Sequence, residues 1–110
     1  MTVSAHVLDA VGGGPVAGVG VRLEVRSAEG WEPVAAGRTD GRGRFGHFEA
    51  GGLVVGVYRW VFAAGEYFRS RGVRSFHPEI PVVFEVCDAQ DGYHVPLLLS
   101  PYAYTTYRGH

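Results

Sequence analysis

The chain has 110 residues, close to the commonest size of a single domain, so we expect one domain over residues 1–110. Hydrophobic residues make up 46% and charged residues 19%, which is typical of a globular domain. The net charge is -1, and no apolar stretch approaches the roughly 18 residues of a membrane helix, which argues against nucleic acid or a membrane as the main partner.

Glycine and proline are spread along the chain in the manner of turns between short strands. Apolar residues alternate with polar ones over 19–26, the two-residue period of a strand with one wet face. We predict strands over residues 3–9, 19–26, 31–37, 44–48, 54–62, 80–87, 93–100 and 102–108. The segment 63–71 is the only one that permits a helix. Eight short strands and one short helix predict an all-β sandwich.

Several positions carry finer expectations. The strand 54–62 is apolar on both faces, which favours the interior of a sheet. Pro96 lacks an amide proton and predicts an edge strand or a bulge. The segment 39–43 predicts a turn, because glycine supplies positive φ and aspartate binds its own backbone. We interpret Cys87 as a small core residue and Glu24 as a solvated strand position.

The residue types that are missing limit the possible chemistry. All ten basic residues are arginine, so a Schiff-base lysine and a lysine-dependent phosphate loop are excluded. There is no asparagine, so an asparagine oxyanion donor is excluded too. The single cysteine forms no internal disulfide, and the first residues lack the pattern of a signal peptide. We therefore expect a cytoplasmic protein.

The histidines are the main candidates for chemistry. No two of them have a metal-ligand spacing, so local motifs predict no metal site, although a cluster could still assemble in three dimensions. Two interpretations of His6 and His94 stay open at this point. Each is a strand histidine with a hydrogen bond at a sheet edge, or the two face each other and act as a base near neutral pH.

Two arginines are also ambiguous from their sequence context. Arg44 follows a glycine turn and is either a solvated arginine or a ligand-binding one. Arg108 follows several tyrosines, which is typical of a subunit contact. The apolar and aromatic run over 95–104 predicts surface left over after the core is filled, and the simplest partner for it is another copy of the chain.

Five segments taken together are more specific than any one of them: SAHVLD (4–9), TDGRGR (39–44), PEIPVVF (78–84), HVPLLLSPY (94–102) and YTTYRG (104–109). In order and spacing they resemble the transthyretin-related proteins. Within that superfamily they are similar to the 5-hydroxyisourate hydrolases rather than to the hormone carrier. The resemblance covers essentially the whole chain.

The resemblance implies a transthyretin-like sandwich of two four-stranded sheets with one short helix. It implies a homotetramer, built as a dimer of dimers, with active sites in a channel between the dimers. It also implies hydrolysis of a small molecule, 5-hydroxyisourate, to 2-oxo-4-hydroxy-4-carboxy-5-ureidoimidazoline during urate breakdown, without metal or organic cofactor.

The family's functional residues carry over by motif. The resemblance implies catalytic roles for His6, Arg44 and His94, and substrate-binding roles for His6, Arg44, Tyr107, Arg108 and His110. His110 stands where the family usually ends in serine, so that hydroxyl donor is absent here. The alternative function is a non-catalytic small-ligand carrier with the same fold, and a third possibility is a plain structural sandwich that stays monomeric.

Overall fold

The computed structural model describes residues 2–110 and contains eight strands and one helix in that part of the chain. The elements are β1 (Thr2–Asp9), β2 (Gly20–Ser27), β3 (Gly30–Arg38), β4 (Arg44–Phe48), β5 (Gly56–Phe62), α1 (Ala64–Ser70), β6 (Ile80–Val86), β7 (Tyr93–Leu99) and β8 (Tyr104–Thr106). Within residues 2–110, no helix is long and apolar enough to cross a membrane.

The strands form two four-stranded sheets. The first has the order β4-β1-β7-β8 and the second the order β3-β2-β5-β6. In the first sheet β1 pairs with β7 in parallel, so the two central strands come from opposite ends of the chain. The predicted sandwich of two four-stranded sheets with one short helix is confirmed.

Alternation along the strands determines which side chains enter the core. On β1, Val3, Ala5 and Val7 are fully buried, while the residues between them point to the opposite face of the sheet. The second sheet contributes the largest buried side chains, Trp60 and Phe62. Each sheet therefore has one buried face and one face turned away from the core.

The ring of Phe45 joins the two sheets at one end of the sandwich. It meets Trp60 edge-on at a centroid distance of 5.9 Å, and a Cβ atom added to Gly37 would lie only 2.3 Å from it. Because Phe45 points inward, its neighbour Arg44 must point outward.

Of four predictions for single strands and residues, one is confirmed and three are wrong. The interior position of the 54–62 strand is confirmed, because β5 lies between β2 and β6. The predicted last strand, 102–108, is wrong in its length: only Tyr104–Thr106 pairs with β7. Cys87 is exposed, just beyond the end of β6, and is not a core residue. Glu24 is also not a solvated position, because its side chain is 14% exposed and lies between two arginines.

The expectation at Pro96 is wrong as well. Strand β7 is interior, and its register with β1 runs without a break from Val3–Tyr93 to Asp9–Leu99. The ladder with β8 ends at Leu97, and the Thr106 hydroxyl donates to the Pro96 carbonyl at 2.7 Å. A missing amide proton is tolerated there because no β8 residue pairs with Pro96.

Thr39 is a buried polar residue just after β3, with 4% of its surface exposed. Its hydroxyl donates to the Val16 carbonyl at 2.7 Å and accepts from the Val19 amide at 3.0 Å. Both partner residues are buried, so the hydroxyl satisfies two backbone groups that water cannot reach.

We predict that Thr39→Val destabilises the fold by about 1–3 kcal/mol for each backbone group left unsatisfied. Threonine and valine side chains have the same shape, so the loss of stability comes from removing the hydroxyl alone. Chemical denaturation measures the free energy of unfolding. Thr39→Ser, which keeps the hydroxyl, is the control, and an unchanged stability of Thr39→Val would contradict the prediction.

Candidate functional site

Four side chains meet on the outward face of the first sheet. Arg44 on β4 pairs in register with His6 on β1, and Ser4 on β1 pairs in register with His94 on β7. The rings of His6 and His94 are 6.1 Å apart between centroids. The structure therefore brings the three predicted catalytic residues together across three adjacent strands.

The turn before β4 places Arg44. The Asp40 carboxylate accepts hydrogen bonds from the backbone amides of Arg42 and Arg44, at 2.8 and 3.0 Å, and these bonds hold the pKa of Asp40 below its ordinary value. Gly43 has a φ of +76°, and a Cβ atom there would lie 2.4 Å from the Val7 carbonyl oxygen. Only glycine fits this conformation against β1.

His6 is fixed by the same turn. Its Nε2 atom lies 2.9 Å from the backbone carbonyl oxygen of Arg42. A carbonyl only accepts hydrogen bonds, so Nε2 must carry the proton. In the neutral ring, Nδ1 then keeps a free lone pair, and His6 can accept a proton at that atom.

His94 is held from two sides. Its Nδ1 atom is 2.7 Å from the Ser4 hydroxyl oxygen. The other edge of the ring faces the C-terminal tail, residues 107–110. A Cβ atom added to Gly109 would come within 2.5 Å of His94 Cδ2, so only a glycine permits the tail to lie there. The tail is attached by the Gly109 amide, which donates to the His94 carbonyl at 2.8 Å.

Burial lowers the pKa of His94 below its ordinary value of 6.5, and the positive charge of Arg44 and the neighbouring His6 lower it further. No ion pair within residues 2–110 involves Arg44. Its guanidinium is exposed on β4, and the site therefore combines a neutral imidazole with an available cation.

The last residues of the chain surround the other side of His94. A cavity of about 550 Å³ is lined by Ser4, His94, Arg108 and His110, among others. The Arg108 guanidinium donates to the Asp91 carboxylate at 3.0 Å and lies 4.8 Å from the centre of the Tyr93 ring. Within one chain, Arg108 and His110 adjoin His94, whereas His6 and Arg44 do not line this cavity.

Tyr107 lies elsewhere. It is 55% exposed and lines a separate cavity of about 300 Å³ between the edge strands β6 and β8. Within a single chain the structure does not bring Tyr107 to the two histidines.

Several residues of this site were not predicted from the sequence. Ser4 was detectable as a site residue, because it lies two positions before His6 and so shares its face of the strand. The Arg42 carbonyl, Gly109 and Asp91 gave no local signal, since their contacts depend on pairing between distant segments. Among the described residues, no group of three or more histidine, cysteine, aspartate or glutamate side chains could hold a metal ion.

Comparison with known proteins decides the family. The model of the HIUase/Transthyretin family, in which HIUase denotes 5-hydroxyisourate hydrolase, matches residues 3–109. The chain belongs to this family. The HIUase/Transthyretin relatives include a 5-hydroxyisourate hydrolase of Salmonella dublin, which is 44% identical over 107 residues, covering 96% of this chain and 79% of the relative.

Solved structures of the HIUase/Transthyretin family agree with this fold. The 5-hydroxyisourate hydrolase of Klebsiella pneumoniae matches with a TM-score of 0.87 and 32% identity, covering 99% of this chain and 98% of the other. Sea bream transthyretin in complex with thyroxine matches with a TM-score of 0.88 and 33% identity, covering 97% and 93%. The chain spans only 43% of a matching (S)-allantoin synthase, at 36% identity and a TM-score of 0.87.

The titration of His94 is a direct test of the site's electrostatics. We predict a midpoint below 6.5 in the folded protein, and Arg44→Gln raises it because a nearby positive charge is removed. The midpoint stays below 6.5 in the variant, because burial is the largest cause. NMR titration of the imidazole signals measures both values.

Arg42→Gln is the matched control, because the Arg42 side chain is not among the causes of the shift. An equal rise in both variants would contradict the assignment.

The lowered pKa of His94 also makes the free energy of unfolding depend on pH. The unfolded chain binds this proton at higher pH, so the stabilisation by neutral His94 is present above 6.5 and is lost as the pH falls through the folded pKa.

Proposed function

We propose that this protein hydrolyses 5-hydroxyisourate to 2-oxo-4-hydroxy-4-carboxy-5-ureidoimidazoline, acting as a single domain over residues 1–110. The observation that carries the proposal is the convergence of His6, His94 and Arg44 on one sheet face. Membership of the family and 44% identity to a relative named for this activity support it.

The reaction begins with attack of water on a ring carbonyl, and this water needs a base. His6 fits the role, because its Nε2–H is committed to the Arg42 carbonyl and its Nδ1 lone pair is available. The water proton passes to Nδ1 as the oxygen bonds to the carbonyl carbon. The Arg42 carbonyl then also stabilises the imidazolium that forms.

Negative charge develops on the carbonyl oxygen during this step. Arg44 lies beside His6 and presents a planar guanidinium with forked donors, which suits the oxygen atoms of an imide-like ring. We assign Arg44 to holding the substrate and stabilising this oxyanion. The loss of one such donor costs about 2.7–4 kcal/mol of transition-state stabilisation in known enzymes.

Collapse of the intermediate breaks the ring C–N bond, and the departing nitrogen takes up a proton. That proton comes from the His6 imidazolium, which took it from the water. His94 is the second imidazole beside the reacting centre; it stays neutral and is assigned to a hydrogen bond that it donates to the departing nitrogen. Tyr107, Arg108 and His110 complete the substrate-binding pocket in this proposal, with Tyr107 contributed by a neighbouring subunit. His110 supplies a ring nitrogen where a serine hydroxyl is usual in the family.

We predict that His6→Ala and Arg44→Ala each lower kcat/KM by about a hundredfold or more, because one removes the base and the other the oxyanion donor. The measurement is the ultraviolet decay of freshly generated 5-hydroxyisourate. Arg74→Ala, at an exposed position outside the strands and the helix, is the control. Near-normal rates in either site variant would refute its role.

The carrier function remains the second candidate, favoured by His110 and by the likeness to a transthyretin that binds thyroxine. The same assay separates the two functions. Decay no faster than in buffer, from folded wild-type protein, would exclude the hydrolase and leave the carrier.

We also propose that the chain assembles as a homotetramer, a dimer of dimers, in the cytoplasm. The edge strands β6 and β8 line one cleft, so both sheets end on the same side and can pair with a second copy there. The outward face that carries the histidines also presents half-buried Leu98 and exposed Phe48, which suits a second contact between dimers. The lone cysteine agrees with a reducing compartment.

We predict a mass of about four times the 11.9 kDa of one chain, measured by light scattering after size-exclusion chromatography. Leu98→Glu places a charge on the outward face and shifts the mass to that of a dimer. Val11→Glu, at an exposed loop position, leaves the mass unchanged. A monomeric wild-type protein would refute the assembly.

A further inference from the structure

Ser4 is a polar side chain of the outward face to which the proposed mechanism gives no role. It lies on β1 two residues before His6 and pairs in register with His94. Its hydroxyl oxygen is 2.7 Å from His94 Nδ1, in a partly buried environment. A hydroxyl can donate to this nitrogen or accept from it, so the direction of the bond determines where the His94 proton resides.

The two imidazoles are held by hydrogen bonds to different ring nitrogens. His6 uses its Nε2–H on the Arg42 carbonyl and leaves Nδ1 free. His94 uses Nδ1 on Ser4, and no hydrogen bond within residues 2–110 occupies its Nε2. The proposed mechanism needs one proton acceptor, for the water, and one hydrogen-bond donor, for the departing nitrogen. This arrangement supplies both if the free Nε2 of His94 carries a proton.

We propose that Ser4 is a positioning residue that donates its hydroxyl proton to His94 Nδ1 and thereby keeps the proton of the neutral His94 ring on Nε2. This inference rests on the proposed function for its catalytic meaning. The two rings then share one tautomer, but His6 offers a lone pair to the substrate and His94 offers an N–H.

Ser4 also fixes which way the ring faces. Rotating the ring by 180° about its Cβ–Cγ bond exchanges Nδ1 with Cδ2, which would put a carbon against the Ser4 hydroxyl. The rotated ring would lose its only side-chain hydrogen bond among the described residues. On the opposite edge Gly109 packs so closely that the ring has little room to move. The Ser4 hydroxyl and Gly109 therefore hold the His94 ring in a single orientation. In this orientation, no hydrogen bond within residues 2–110 occupies Nε2.

The first measurement needs no variant. Long-range ¹H–¹⁵N spectra of the wild-type protein above the His94 midpoint report which ring nitrogen carries the proton. We expect Nε2 to be protonated and Nδ1 to be an unprotonated acceptor. A proton on Nδ1 would overturn the proposal, whatever the activity of the protein.

The second measurement uses matched variants. We expect Ser4→Ala to lower kcat by about tenfold or more with little change in KM, because the hydrogen bond from His94 Nε2–H to the departing nitrogen forms in the transition state. In the same variant, the His94 spectrum shows a mixture of tautomers. Ser4→Thr keeps the hydroxyl on the same strand position and retains most of kcat and the single tautomer.

The outcomes separate this proposal from the proposed function. A kcat within twofold of wild type in folded Ser4→Ala would overturn the positioning role. A wild-type protein that does not accelerate 5-hydroxyisourate decay would refute the hydrolase. The tautomer spectra would still confirm or refute the effect of Ser4 on His94, because they require no substrate.

Discussion

The parallel pairing of β1 with β7 is the constraint on which the candidate site depends. Its register places Ser4 opposite His94, and the antiparallel register of β1 with β4 places His6 opposite Arg44. A slip of one residue in β1 would turn Ser4 and His6 into the core and Ala5 out of it. The fully buried Val3, Ala5 and Val7 prevent that slip, so packing on one face of the strand fixes the chemistry on the other.

One cation serves two purposes in this arrangement. Arg44 is exposed and available to a substrate, and its charge also lowers the pKa of His94, which burial has already lowered. A protonated His94 next to a guanidinium would repel it, whereas a neutral ring does not. The Asp40 turn holds Arg44 through a hydrogen bond to its backbone, and no ion pair within residues 2–110 involves its guanidinium. Burial is the largest cause of the lowered His94 pKa, and the Arg44 charge adds to it.

Alternation and turn residues were sufficient to predict the strands and the all-β sandwich class, because strand 19–26 and the Asp40 turn are local patterns. The division into two four-stranded sheets came from the family resemblance. His6, Arg44 and His94 were named from the family's motifs. The structure places all three on one sheet face. The failures share a cause, which is that pairing between distant strands is invisible locally. Pro96 looks like an edge residue until the short β8 ladder is known. Glu24 looks solvated until Arg59 approaches from the neighbouring strand, and the Ser4–His94 contact requires the parallel register.

The topology also determines the order in which the protein can form as it is made. The second sheet uses strands between residues 20 and 86, so all of it is synthesised before β7. Strand β1 is synthesised before these strands, and residues 10–92 must be added before its parallel partner begins, roughly 4–17 s at about 5–20 residues per second. During that interval one edge of β1 is open, and a chaperone or another nascent chain can reach it. The sheet face that carries His6 and His94 is therefore completed only after every strand of the second sheet has been made.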